Sequence, residues 1–189
     1  MKKILALALL AATGVGAASA EEITIDTNKL YVGGAVGFWR DITEHSTQVA
    51  IKPEIGYKLN PKYYVGASLG WYHNYSGDNV SYNMFNIAPY VRYNFYRNNK
   101  VAVFVDGTVE VGLGRTGYDG GHSDLAATYG IGFRPGVSLA LNNHFSLIAK
   151  VGFFGYKGAN KAARNGGEHS GFGVGLNTND IQFGFNYTF

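Results

Sequence analysis

The chain has 189 residues, of which 46% are apolar, 15% charged and 15% aromatic, with a formal net charge of +3 and a mean hydropathy of -0.07. That balance is too polar for a bundle of membrane helices and too apolar and aromatic for a disordered chain. Zero cysteines exclude disulfide scaffolds, thiolate metal clusters, thiol catalysis and a lipidated cysteine anchor, and 27 glycines beside 14 Tyr and 12 Phe, with no Gly-X-Y period and only 4 prolines, exclude collagen.

At the start, Lys2 and Lys3 precede a short apolar run from Ile4 to Ala12, and Ala18-Ser19-Ala20 places small residues before Glu21-Glu22. This reads as a secretory signal peptide over 1–20, with Ala18 and Ala20 as the positions the peptidase reads. A transmembrane helix would need about 20 apolar residues, and the run fails at Thr13 and Gly14. Removal leaves 21–189 as one domain and, with Lys2 and Lys3 gone, lowers the net charge from +3 to +1. No clustered basic stripe remains for nucleic acid.

Beyond residue 20 the pattern is alternation at period two, the signature of strands with one apolar and one polar face. Segments 30–40 and 63–75 alternate weakly. Between 48 and 59, Val49, Ile51, Pro53, Ile55, Tyr57 and Leu59 oppose Gln48, Lys52, Glu54 and Lys58. The same parity gives Phe85 to Phe95, Val101 to Leu113, Tyr129 to Leu141, and Phe145, Leu147, Ala149, Val151 and Phe153, before Ile181, Phe183, Phe185, Tyr187 and Phe189 close the chain. Eight strands result. Phe172, Val174 and Leu176 fall on even numbers while the closing set is odd, which predicts a β-bulge near Asn177-Thr178-Asn179-Asp180. Pro53, Pro89 and Pro135 recur on the apolar face of alternate strands and predict local breaks in the ladder.

Short connections at Asn60-Pro61, Asn98-Asn99 and Asn142-Asn143 alternate with longer polar ones at 41–47, 74–82, 115–124 and 158–170. An eight-stranded meander with one apolar face fits a soluble lipocalin-like barrel or a membrane barrel, and parity alone does not decide. The signal peptide without cysteine, the alternation of short turns and long loops, and aromatic residues at strand ends favour an all-β, eight-stranded antiparallel up-and-down transmembrane β-barrel. Tyr57, Tyr63, Tyr93, Phe95, Phe145, Tyr187 and Phe189 would ring the short-turn side; Phe38, Trp39, Trp71, Tyr72, Tyr75, Tyr82 and Phe153 would ring the loop side.

The terminal run Phe183-Gly184-Phe185-Asn186-Tyr187-Thr188-Phe189 resembles the signal by which Gram-negative outer-membrane barrels are recognised for assembly. Pro53-Glu54-Ile55-Gly56-Tyr57, Ala88-Pro89-Tyr90-Val91-Arg92-Tyr93 and Arg134-Pro135-Gly136-Val137 resemble the repeated even-strand motifs of the outer-membrane β-barrel domain family common in Bacteroidetes, similar in form to small OmpX and OmpA-type barrels. Leu139 departs from the pattern, standing where the family's aromatic is expected. The resemblance implies residence in the bacterial outer membrane, contact with its lipid and lipopolysaccharide, and delivery by the barrel assembly machinery through Phe185, Tyr187 and Phe189.

With the apolar face toward lipid, Lys52, Glu54, Lys58, Arg92, Asp106, Glu110, Arg134 and Lys150 point into a lumen that side chains just fill. Folding the hairpin about Asn98-Asn99 brings Arg92 opposite about Val105, beside Asp106. A salt-bridged plug of Arg92, Asp106, Glu110 and Arg134 follows as an expectation, satisfying buried charge rather than doing catalysis. Inner glycines, Gly56, Gly66, Gly70, Gly112, Gly130, Gly132, Gly136, Gly152 and Gly184, make room beside Tyr90, Phe104, Phe154 and the arginines.

No cofactor is expected. His45, His73, His122 and His169 each fall at a loop or its base without metal-ligand spacing, and Asp78 and Asp119 match no calcium loop. His122-Ser123 and His169-Ser170 are adjacent, which in a strand puts the two side chains on opposite faces and makes a poor nucleophile-base pair. Segment 158–170, with Lys157, Lys161, Arg164 and Glu168 in or beside it, reads as a flexible, mildly basic loop. The expectation is a monomeric structural or interaction protein of the outer membrane acting through four outward loops; the alternatives are a small-solute porin, a lipid A-modifying enzyme and a soluble carrier.

Overall fold

The computed structural model describes residues 26–42, 45–76, 79–175 and 182–189. Eleven strands are present among them: β1 (Leu30–Asp41), β2 (Ser46–Lys58), β3 (Tyr63–Ser76), β4 (Val80–Arg97), β5 (Val101–Tyr118), β6 (Gly121–His122), β7 (Ala126–Ala140), β8 (Phe145–Lys150), β9 (Phe153–Ala159), β10 (Gly171–Gly175) and β11 (Gln182–Thr188), with one short helix, α1 (Lys161–Asn165). All pairings are antiparallel, and β11 pairs with β1, so the sheet closes on itself. The walls number eight. β7 meets β8 along 136–140 and β9 along 128–133, so β8 and β9 are two halves of the seventh wall strand. β10 and β11 pair with those halves in turn and form the eighth. β6 is only a two-residue return of β5 beyond the wall.

The seventh strand is broken because it carries one residue too many. Between the rungs Gly136↔Lys150 and Phe133↔Phe154, β7 contributes two residues and its partner three, which is a β-bulge at Val151-Gly152. Gly152 takes φ +71, a conformation that costs a residue with a side chain about 1–2 kcal/mol. The bulge flips the parity of everything after it. Phe153 is therefore buried in the lumen at 3% exposure and Phe154 faces outward at 44%, reversing the placement that strict alternation predicts for both. The parity change between Phe172 or Val174, both outward, and outward Phe183 falls on residues outside those described.

The three prolines do interrupt the ladder. Pairing of β2 with β3 skips Lys52 and Pro53, and pairing of β4 with β5 skips Ala88 and Pro89, in each case without a change of register. Pro135 lies across from the seventh-strand bulge, where Val151 N donates to its carbonyl at 2.9 Å. Each break is confined to one side of the proline strand, since Pro53 and Pro135 hold their places in the ladders to β1 and β5.

The loop end differs from expectation. The turns at 59–62, 98–100 and 141–144 are short, but so are the opposite connections at 42–45 and 77–79. Residues such as Tyr75, Ser81, Tyr82 and Thr116 are paired wall residues rather than loop, and β4 and β5 each run 18 residues. Eighteen residues tilted near 40° rise roughly 45 Å, against an apolar band of about 25 Å in outer-membrane barrels. Wall that stands clear of lipid has no reason to alternate apolar with polar, so it is silent in a hydropathy pattern. Segment 158–170 carries α1 and contacts to the wall. Asn160 Oδ1 accepts from Ala163 N at 2.9 Å, capping α1, and from Ala127 N at 3.1 Å, while its Nδ2 donates to Leu125 O at 2.8 Å. That one side chain staples the helix to the start of β7, and Ala163 is buried beneath it.

Candidate functional site

The interior is the chemically distinctive part of the molecule. Arg92 (β4) and Asp106 (β5) are directly opposed, because a three-residue turn and a bulge at Phe95 shift the hairpin by one residue from the simple fold-back that would place Arg92 opposite Val105. The pair is bidentate: Arg92 Nε donates to Asp106 Oδ1 at 2.7 Å and Nη2 to Oδ2 at 2.9 Å. Lys150 (β8) reaches across to the same Asp106 Oδ2 at 3.1 Å and donates to Glu54 Oε2 (β2) at 2.7 Å. Glu54 Oε1 lies 3.4 Å from Arg92 Nη2 and accepts from Tyr90 OH at 2.7 Å, and the Tyr90 hydroxyl also bonds that of Tyr31 (β1). The Arg92 guanidinium sits 3.9 Å from the centre of the Phe104 ring, a side chain with no exposure at all.

Two cations and two anions thus neutralise one another across the barrel axis, each donor aimed at an acceptor, the condition under which buried charge is tolerated. Wall strands one, two, four, five and seven all contribute, so the network ties together opposite sides of the cylinder. Asp106, Arg92, Glu54 and Lys150 are all buried.

A second, separate pair lies beside it. Arg134 (β7) is register-opposite Asp106 but bonds Glu110 instead, Nε to Oε1 at 2.9 Å and Nη2 to Oε2 at 3.1 Å. Phe153, delivered inward by the bulge, carries the Arg134 guanidinium on one side and Lys157 Nζ on another, each 5.0 Å from the ring centre. The four residues Arg92, Asp106, Glu110 and Arg134 therefore form two clusters rather than one plug, and Glu54 and Lys150 belong to the first. Lys52 lies on the inner face, where it lines a small void of about 30 Å³ with Glu54 and Lys150.

The aromatic rings that complete the filling sit where glycines leave slots. A Cβ on Gly66 would lie 2.5 Å from Tyr90 OH, one on Gly136 2.7 Å from Phe104 Cε2, and one on Gly132 2.7 Å from Phe153 Cζ. Gly132 thus makes room for the Phe153 ring and for the Phe154 backbone carbonyl, not for the Phe154 ring. Sequence parity missed Tyr31, whose weakly alternating strand hid an inward ring, and the inward Phe153; the glycine at Gly56, against which Tyr31 packs, was the available signal.

On the outer face, Tyr63 and Tyr93 pair at 5.1 Å and Phe145, Tyr187 and Phe189 form a run of edge-to-face contacts beside the short turns. Phe185 and Tyr187 lie on β11 and Phe189 follows it, its N–H donating to Leu30 O at 3.2 Å, with Phe185 and Phe189 facing out. Tyr72 and Tyr82 do not join the loop-side ring. They occupy inward positions, edge to face at 6.2 Å, because β3 and β4 keep their parity into the tall part of the wall. Ala18 and Ala20 lie outside the described residues. The Ser123 hydroxyl donates to Asp124 O and accepts from Thr116 N, and Ser170 Oγ accepts from Ala159 N, so both serines hold loop backbone. Among the described residues no three histidine, aspartate or glutamate side chains converge as a metal site.

A closed eight-stranded antiparallel barrel with an apolar exterior band, aromatic borders and buried ion pairs in its interior is a membrane-spanning β-barrel. The chain belongs to the outer membrane protein beta-barrel domain family, whose model matches residues 5–189. Among solved structures it is similar to neisserial surface protein A, at 15% identity and a TM-score of 0.54, covering 85% of this chain and 96% of that one. The beta domain of the Bordetella autotransporter BrkA also matches, at 14% identity and a TM-score of 0.32 over 85% and 99% of the two chains. No curated protein sequence matches.

Proposed function

We propose that this barrel is a sealed structural and interaction protein of the outer membrane, not a conduit. The observation that carries the reading is the neutral network of Arg92, Asp106, Glu54 and Lys150, whose members come from opposite walls and are braced by Tyr31, Tyr90 and Phe104. An eight-stranded lumen has room only for side chains, and here charged and aromatic ones meet in the middle. What the protein offers its surroundings is then its ends: a tall wall capped by α1 on the loop side, and a cationic turn side. Binding to a surface ligand or to lipopolysaccharide belongs to the former. Delivery through the assembly machinery belongs to Phe185, Tyr187 and Phe189, and the working unit is a monomer.

Planar-bilayer recording on the purified barrel tests the seal. Conductance indistinguishable from the bare bilayer is expected. A steady open level, or swelling of proteoliposomes in small sugars, overturns the reading in favour of a small-solute porin.

A further inference from the structure

The exterior wall carries a notch that the interior does not explain. Along β5 from Val101 to Leu113 the outward positions are Val101, Val103, Val105, Val109, Val111 and Leu113, all branched aliphatics, with a single interruption at Gly107. Lumen-facing Gly56, Gly66, Gly132 and Gly136 are there because a ring occupies the space a Cβ would need. Gly107 is different: a Cβ would meet only Phe133 at 3.7 Å and the Val91 carbonyl at 3.8 Å, ordinary contacts. Nothing fills the slot from inside the molecule. What results is a groove of about 380 Å³, floored by the backbone of β4, β5 and β7 and walled by Val91, Val109, Ile131, Phe133, Phe154 and Phe172. That volume falls in the range of small-molecule pockets, roughly 300–1,000 Å³.

The groove is continuous with the face that meets lipid, and it opens one outward row beyond Tyr93 of the short-turn aromatic border. Below it stands a basic rim. Lys58, Lys62, Arg97 and Lys100 lie at the short-turn end, where Asp26, already paired with Lys29 at 3.8 Å, is the one acidic side chain among the described residues. Lys100 stands in the β4–β5 turn at the foot of the same hairpin that floors the groove, whereas Arg97 shares the lumen face with Ala102 opposite it and donates to Tyr64 OH at 2.8 Å. From Lys100 to Gly107 is about 24 Å along the strand, or roughly 18 Å along the membrane normal at a tilt near 40°, within the span of one leaflet with its headgroups.

We propose that this face is a binding site for one anionic phospholipid of the leaflet beside the short turns, its phosphate at Lys100 and one acyl chain seated over Gly107. Apolar walls select a chain, and the lysine selects a phosphate. The notch is opened by one missing side chain, which suits a single acyl chain.

The test uses the full barrel in detergent micelles, titrated with phosphatidylglycerol or with lipopolysaccharide and read by native mass spectrometry. The wild type is expected to keep one phosphatidylglycerol. Gly107→Leu, whose Cβ meets only ordinary contacts, is expected to fill the groove and weaken that adduct about tenfold, the loss of about two buried methylenes. Lys100→Gln is expected to lower the preference for phosphatidylglycerol over phosphatidylcholine several-fold. Each variant is first shown to be folded by its heat-dependent shift on a detergent gel, and Gly107→Ala provides a second, milder filling should leucine prevent assembly. Equal adducts in wild type and filled variants overturn the site. So does a wild-type dimer that Gly107→Leu dissolves, which makes the groove a protein contact, and so does retention of lipopolysaccharide in place of phosphatidylglycerol.

Discussion

Replacing Asp106 by Asn removes one of two anions that face two cations while keeping the side-chain shape. Asp106 is 1% exposed, accepts two hydrogen bonds from Arg92 and lies 3.1 Å from Lys150, so the change leaves a buried net charge of one with no water to solvate it. Breaking one partner out of a buried pair costs about 3–5 kcal/mol, and Asn retains one acceptor for Arg92, which places the expected loss near 3 kcal/mol. Arg92→Met alone leaves the opposite imbalance and a similar loss. The double variant restores neutrality, because Glu54 and Lys150 still pair at 2.7 Å. Its loss is expected to be no greater than either single one, a coupling of about 3 kcal/mol. Urea unfolding from phospholipid vesicles at neutral pH, followed by tryptophan fluorescence, gives the three values. Additive losses, or a loss under about 1 kcal/mol for Asp106→Asn, would refute the claim that charge balance across the lumen holds the walls together.

The two clusters should differ in degree: Arg134 and Glu110 have side-chain exposures of 11% and 21%, against 5% and 2% for Arg92 and Asp106. Arg134→Leu is accordingly expected to cost about 1–2 kcal/mol in the same titration, since water can reach the orphaned Glu110. Gly136→Ala should prevent the heat-modifiable form or cost about 1–3 kcal/mol, because the new Cβ meets the Phe104 ring and lies 2.8 Å from the Ala149 carbonyl. Gly130→Ala, whose nearest contact is at 3.4 Å, should fold normally. Phe189→Ser is expected to lower the amount reaching the outer membrane in cells while leaving unaided refolding of the purified chain into vesicles unchanged; equal loss in both would make Phe189 a packing residue and not a recognition signal.

How much of this was written legibly in the chain depends on what each residue had to satisfy. Positions that meet lipid on one side and the lumen on the other carry two opposed demands, and strict alternation records them; hence Val101 to Leu113 could be assigned to a face from parity alone. Phe153 and Phe154 could not, since the bulge that exchanges them rests on a single glycine, Gly152, and a glycine in a chain with 27 of them is no signal by itself. The tall part of the wall was illegible for a different reason. Ser81, Tyr82 and Thr116 meet water outside and a polar mouth inside, so no contrast between faces was ever imposed on them. The lumen network lies between these cases. Which residues face inward follows from parity, but which of them touch follows from register, and register was moved one place by a three-residue turn and a bulge at Phe95 together. That single step turns Arg92 from a neighbour of Asp106 into its bidentate partner, and it leaves Arg134, which faces the same Asp106 from the other side, to find Glu110. In a barrel this small the pattern of faces is a property of composition along the strand, whereas the pairing of charges is a property of where the ladder slips.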